Sequence, residues 1–581
     1  MKKLNRILAV VLSICLCIGI LSACGGGNGK NAGADGSMAT DTKETQSQNK
    51  DTGTEPVGND QSTSVVTGDG NGQGTSGSLQ ELTLPLCEDK QELTVWLVYN
   101  GKEISDLNDI KGIQKMEELT NVHVNWIPIG LQEVQEKFNL LLGSGNYPDI
   151  IYPASYPYPG GIEKGIDDGV FVDAEELILN YMPNYMNCLK NNEEARKEAT
   201  SDEGRLLAPR IIVSTDTSIE GEGTYSGLAY RKDILDDLGL DVPTTVNEWH
   251  DVLVKCKESG MPKPFMIQKN GSTELSLAWG VNTTSTPYYM QLDGNKVVFG
   301  PTLDGYGQYL ETMRQWYSEG LIDPNFTSGS MLEKFDMSPL DSNETMLFTM
   351  ISSFCADNLY KTKQIANADV FIQPIQNPVV NEGDEPIQDG RRIVAKDPLY
   401  ITTSCKDPVL AAKWLDFQFS DQGMYLNWYG VEGESYVIGE DGTPQFTDLV
   451  MNNPDGLTPE STLARYALNA AGSCWLGRHN TTSAIKLKGN TDVNYQKAAV
   501  DIWSEPKNIN LTESISLTSD EGSQVNPLLT AINTLVEEYA VNYIIGADNR
   551  TYEEFRDTLY EYGLQTCLDI YQAAYDRYLE R

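Results

Sequence analysis

Histidine is scarce in this chain. Three occur, at positions 123, 250 and 479, and none stands in an H-E-x-x-H run or at the paired spacing of a zinc site. His123 falls in an expected strand and His250 on an expected helix, where both read as structural. Positive charge is scarce too. Lys and Arg number 43 against 83 Asp and Glu, for a formal net charge of −40. That balance argues against a nucleic-acid partner, which needs clustered cations along its phosphates, and suits a solvated surface in a salty extracellular medium. No G-x-S-x-G elbow, P-loop or D-x-[DN]-x-[DN]-G loop closing on Glu is present, so no nucleophile, nucleotide cradle or calcium loop is legible. No catalytic residue, metal or cofactor is expected. Seven cysteines beyond Cys24 (87, 188, 256, 355, 405, 474 and 567) are scattered and odd in number. They fit buried free thiols better than a disulfide framework.

Aromatic residues are absent before Trp96, and only one long apolar run exists. Lys2, Lys3 and Arg6 precede Ile7–Ile20, too short for a comfortable membrane span, and the run ends in Leu21-Ser22-Ala23-Cys24. This resembles a bacterial lipobox, in which the Cys24 thiol is lipidated and the chain is cut before it, making 1–23 a signal peptide. The acyl group would then be the only hold on the membrane. Residues 24–83 are rich in Gly, Ser and Thr and cannot bury enough apolar area to offset ordering entropy. As a disordered tether, such a coil of ~60 residues spans ~40–45 Å root-mean-square.

The folded body is expected from residue 84 onward. Leu93–Val98 reads as a strand, Ile110 to Leu119 as a helix, Val122–Trp126 as a strand, Val134 to Leu142 as a helix and Tyr147–Tyr152 as a third strand. This β-α-β-α-β order points to a mostly parallel, doubly wound sheet, whose ligands lie beyond the carboxyl ends of the strands. Tyr99 and Asn100 after the first strand, and Tyr152, Tyr156 and Tyr158 at and after the third, point toward a site. The stretch 225–249, YSGLAYRKDILDDLGLDVPTTVNEW, reads as a strand, a helix closed by Gly239, and a second helix opened by a Thr245/Glu248 capping box. Trp249, Val252, Leu253 and Cys256 give that second helix its apolar face. Arg231 and Asp233 read as structural.

Several phrases resemble the family 1 extracellular solute-binding proteins of ABC importers. They are LTVW (93–96), SGNYPDII (144–151), GVFVDAEELILNYMPNY (169–185), GRLLAP (204–209), the stretch 225–249, EGLIDP (319–324), SDQG (420–423), WYGVEG (428–433) and QAAYDR (572–577). The resemblance covers essentially all of 84–581, through many weak phrases in order. It implies an α/β, two-lobe periplasmic-binding-protein-like (type II) fold with a hinge near 208–227 and a cleft between lobes. Lobe 1 would comprise 84–215 and 346–406, with Met346-Leu347-Phe348 as the returning strand; lobe 2 would comprise 216–345 and 407–581. The implied function is capture of an extracellular solute, a carbohydrate and specifically an oligosaccharide, by a lipid-anchored monomer on the outer face of a bacterial cell membrane, and delivery to ABC permease subunits without any reaction. A surface-anchored glycan-processing enzyme and a ligand-presenting sensor subunit are the alternatives.

Sugars present apolar C–H faces and outward hydroxyls, so their sites pair flat aromatics with polar side chains. Tyr99, Asn100, Tyr152, Tyr156, Tyr158, Trp279, Phe354, Trp428, Glu432, Trp475 and Arg478 are therefore the ligand-binding candidates. Trp96, inside its strand, reads as core. Glu432, Glu434 and Asp149 could be nominated for glycosidase chemistry, but among 83 acidic residues such a nomination has little specificity.

Overall fold

The computed structural model describes residues 79–581 apart from 102–103, 132, 154–157, 220–225, 285–288, 329–342, 352–370, 389–392, 472–474, 488–494, 505–508 and 513. Packing begins before the expected residue 84, with Leu82 on the first core and the Gln80 amide bonded to Asn180 O at 3.0 Å.

Near-continuous apolarity puts β1 (Gln91–Val98) inside, with Leu93 and all of Val95 to Val98 buried. A run of this kind belongs to a sheet covered on both faces. The helix Lys111–Thr120 follows and buries Ile113 and Met116. It stops at Asn121, left-handed at φ 58°, a conformation that a short amide side chain tolerates. β2 (Val122–Ile129) pairs parallel with β1, and after the helix Val134–Ser144, β3 (Ile150–Tyr152) pairs parallel along its other edge. Asp149 pins this sheet, its Oδ2 accepting from both Thr94 N and Thr94 Oγ1 at 2.7 Å. That carboxylate holds two strands together, which accounts for it without any chemistry.

The chain leaves the first core through β4 (Arg210–Ser214) and enters the second through β5 (Ser226–Arg231), all six of whose residues are buried. The helix Lys232–Asp237 and Gly239, at φ 65°, come next. The helix Val246–Glu258 opens on the complete Thr245/Glu248 capping box and buries Trp249, Val252, Leu253 and Cys256. The Arg231 guanidinium, 2% exposed, pairs with Asp233. Gly227 is required by packing: a Cβ there would stand 2.5 Å from the Trp503 ring, whose Nε1 donates to Leu228 O at 3.0 Å. A hairpin of β6 (Met290–Asp293) and β7 (Lys296–Phe299) follows. β8 (Leu347–Ile351) and β9 (Ile372–Pro374) then flank β5, both antiparallel.

Here the expected lobe boundaries need correction. Met346 and Leu347 are buried in the second core, because β8 finds its partner in β5 rather than in the first sheet. The return comes later, through β10 (Ala395–Pro398) antiparallel to β4 and β11 (Tyr400–Ile401) antiparallel to β3. Nor does 407–581 stay in one lobe. Asp407 caps the helix Pro408–Phe419, whose Leu410, Ala411, Trp414, Leu415 and Phe417 are buried in the first core. β12 (Tyr436–Ile438) and β13 (Pro444–Phe446) form a small hairpin, and β14 (Arg478–Asn480) adds parallel to β4. The first sheet thus runs β11-β3-β1-β2, a second runs β10-β4-β14, and the sheet of the second core runs β8-β5-β9.

The helices Ser519–Ile544, Tyr552–Glu561 and Leu564–Glu580 complete the second core, with Tyr539 and Phe555 stacked at 3.9 Å. Their last turn reaches the first core. Arg577 and Arg581 both pair with Asp202, which lies between the first-core residues Ala199 and Leu206, while Arg577 also holds Glu521. The five described cysteines, 87, 188, 256, 405 and 567, are all free; Cys355 and Cys474 lie outside the described residues. Burial pushes the Cys188 thiol up to about 11, which makes it inert rather than reactive.

Candidate functional site

The sheet β10-β4-β14 carries the densest meeting of the expected residues. Gly477 makes it possible: at φ 71°, with a would-be Cβ 2.3 Å from Gln418 O, no other residue fits the turn into β14. On one side of that turn stands Trp475 and on the other His479, their rings 4.4 Å apart and 13° from parallel. His479 stacks in turn on Trp428, at 5.0 Å and 23°. The base of this column is fixed, since Trp428 ends the helix Asp421–Trp428, is 6% exposed, and donates from Nε1 to Arg478 O at 2.8 Å. Its outer member, Trp475, is half-buried, and the Lys396 ammonium lies over that ring at 4.6 Å.

Polar groups border the column. Arg478 is buried, donates from Nε to Ser214 Oγ at 3.3 Å, and pairs with the exposed Asp421. Just past the end of β4, Asp216 accepts from Tyr429 OH at 2.8 Å, Asn480 Nδ2 at 2.7 Å and Lys486 Nζ at 2.7 Å. Burial, and then the Asp216 charge, hold the Tyr429 hydroxyl far above its usual range, so it stays a donor. Ser214 and Asn480 end the parallel strands β4 and β14, so this network occupies the carboxyl-end position where α/β sheets hold ligands.

Other candidates fall elsewhere. Tyr99 and Tyr152, expected near the ligand, are 6% and 0% exposed inside the first core, where they serve packing. Asn100 is exposed and accepts from Leu131 N at 2.9 Å, closing its own loop. Tyr158 packs edge-on to Phe171 and donates to Asp168 Oδ2 at 2.9 Å; burial and that carboxylate push its hydroxyl up to about 12. Trp279 packs edge-on to Tyr309 and lines a pocket of about 440 Å³ with Gly305, Gln308, Pro378 and Asp384, residues that the ring column does not share. Glu432 is exposed in the turn before β12, and Glu434 is exposed and faces Lys111 at 3.6 Å. Tyr156 and Phe354 lie outside the described residues. Sequence reasoning missed His479, Lys396, Ser214 and Asp216, because contacts across β4 and β14 join residues as far as 264 positions apart. His123 and His250 bond to Glu117 at 2.7 Å and Glu319 at 2.5 Å, away from the ring column. Among the described residues, no group of three or more His, Cys, Asp or Glu side chains is disposed to hold a metal ion.

Two α/β cores joined by repeated chain crossings give the fold of periplasmic-type binding proteins. The chain belongs to the family of bacterial extracellular solute-binding proteins, whose model matches residues 108–425. It is 23% identical over 520 residues to a fructooligosaccharide ABC transporter substrate-binding protein of Streptococcus pneumoniae, spanning 86% of this chain and 93% of that one. In fold it matches a solved alginate-binding protein at TM-score 0.66 and 21% identity, covering 84% of this chain and 99% of the other. It also matches an HMO-binding solute-binding protein of Bifidobacterium longum infantis at TM-score 0.67 and 17% identity, covering 84% and 99%.

Proposed function

We propose that this protein is the substrate-binding component of an ABC importer for an oligosaccharide, held at the outer face of the membrane by a lipidated Cys24. Membership of the extracellular solute-binding family supports capture without reaction, and the saccharide-binding names of its relatives support the ligand class. The observation that carries the reading is the ring column. Three near-parallel rings run from buried Trp428 through His479 to half-exposed Trp475, with Arg478 beside them. A flat indole backed by a fixed stack suits the apolar face of a pyranose or furanose, and the neighbouring cations and amides suit its hydroxyls. Trp475 is the primary contact in this reading and Arg478 its polar neighbour. Tyr158 and Trp279 are secondary contacts reached on closure of the cores about their crossings.

The test is a thermal-shift and calorimetric screen of neutral and acidic oligosaccharides against the purified protein. A ligand at a hundred times its Kd stabilises the folded state by about 2.7 kcal/mol and raises Tm accordingly. A panel of fructo-, gluco-, galacto- and uronic-acid oligomers that leaves Tm unmoved and yields no heat would refute the sugar assignment.

A further inference from the structure

Trp279 anchors a second pocket, of about 440 Å³, that shares no residue with the ring column. Its walls come from the short helix Glu274–Trp279, the first turns of the helix Asp304–Ser318 and the segment 378–387 beyond β9. Ala278, Trp279 and Val380 pack on the second core. One core therefore builds the pocket, and no movement of the other is needed to form it. The floor is apolar, where half-buried Trp279, Val380 and Ile387 adjoin buried Pro378. The rim is polar and exposed, carrying Gln308, Asn381, Asp384 and Glu385, and no Lys or Arg is among the described lining residues.

Both sides of the pocket are held in place. Gly305 lets its helix start against the Trp279 carbonyl, since a Cβ there would stand 2.1 Å from that oxygen. Trp279 packs edge-on to Tyr309, whose hydroxyl donates to Gly271 O. On the opposite side, Val379 N donates to Thr244 O and Val246 N to Val379 O, both at 2.9 Å. Asn377 Nδ2 closes the loop on Ile387 O at 2.9 Å, and Asn381 Nδ2 orients Asp384 through its Oδ2 at 3.0 Å. A preformed surface of this kind loses little binding energy to ordering itself.

We propose that this pocket is a second saccharide-binding site, selective for neutral sugar units, with Trp279 as its platform. The proposal rests on the reading of the ligand as a saccharide, and adds a place for it that does not use the ring column. An indole takes the apolar C–H face of a sugar ring. At the rim, carboxylates accept from the sugar hydroxyls, and amides both donate and accept. Two carboxylates with no cation beside them repel a uronic acid, which carries the same charge. Binding here precedes closure of the cores and does not require it.

Saturation-transfer NMR with the purified protein tests the site, using the neutral fructo-, gluco- and galacto-oligomers against the uronic-acid oligomers. In Trp475→Ala the neutral oligomers should keep a residual signal, and adding Trp279→Ala should cut it at least about five-fold. Equal signals in the two proteins would overturn the second site. Because Trp279 also packs on Tyr309, the exposed rim supplies an independent arm. In the same Trp475→Ala background, Asp384→Asn with Glu385→Gln should let uronic-acid oligomers bind about three-fold more tightly. An unchanged preference for neutral over uronic oligomers would overturn the proposal as well. The two readings fail separately. If no oligomer gives a signal with the unmodified protein, the saccharide reading falls; if the unmodified protein binds and Trp475→Ala gives no signal, only the second site falls.

Discussion

In the first core, buried carboxylates hold backbone. Glu198, 2% exposed, accepts from the Val394 and Ala395 amides at 2.8 and 2.6 Å, and Asp416, fully buried, accepts from Tyr185 N at 2.9 Å and Asn184 Nδ2 at 2.7 Å. In the second core, phenols do comparable work among helices: Tyr309 OH donates to Gly271 O and Tyr552 OH to Leu303 O. Glu274, bonded to Thr349, is the exception. The difference follows from topology. The chain returns to the first core through β10, an edge strand whose amides next to Val394 need acceptors, and a helix-borne Glu supplies them. The second core is built from long helices that satisfy their own backbone and leave aromatic rings to fill the space. The two carboxyls that burial raises toward neutral pH, Glu198 and Asp416, thus sit in the first core, while aromatic packing dominates the second.

The largest break in that contrast comes from the packing side. Trp249→Ala should cost about 3–5 kcal/mol, because the ring is fully buried against Tyr230. Hydrogen exchange should show the loss concentrated in the second core; equal loss of protection in both cores would erase the distinction.

The titratable side comes next. Burial raises Glu198 from 4.5 to about 7 and Asp416 from 3.8 to about 6. A carboxyl whose pKa is raised on folding binds more protons in the folded state. Its stabilising contribution is full below the unfolded value and is lost as pH rises through the folded one, between about 4 and 7. Urea unfolding of Glu198→Gln should show a flatter pH dependence over that window, by on the order of 2 kcal/mol between its ends. A slope identical to that of the unmodified chain would remove Glu198 from the account.

The smallest effect lies where the cores touch. Arg577→Ala breaks pairs with Asp202 and Glu521 that are partly solvated, so about 1 kcal/mol is expected, visible as a modest fall in Tm that high salt reduces. A loss several-fold larger would mean that this contact, not the separate cores, carries the fold.

Much of the fold was legible where the pattern is local. β1, β2 and β3, the capping box at Thr245 and the Asp407-Pro408 helix start all follow from spacing within about a dozen residues. The lobe boundaries were not, because Met346-Leu347-Phe348 has the same apolar character whether it pairs with β5 or with the first sheet. The helix Pro408–Phe419 is apolar on nearly every side, so its sequence does not say which core it serves. Among the proposed site residues, Trp428, Trp475 and Arg478 were within reach as aromatics and a cation beside turns. Tyr99 and Tyr152 were not separable from them, since a tyrosine at a strand end looks alike in a core and at a cleft. His479 and Lys396 gave no sequence signal, because their contacts with Trp475 come from cross-strand register alone.

The most direct test of the account is a calorimetric titration of the oligosaccharide identified by screening into the unmodified protein and into Trp475→Ala. Loss of an aromatic platform should weaken binding at least ten-fold while leaving Tm of the ligand-free protein nearly unchanged, since Trp475 is half-buried at the outer end of its column. Equal affinity in the two proteins would contradict the proposed placement of the sugar on the ring column.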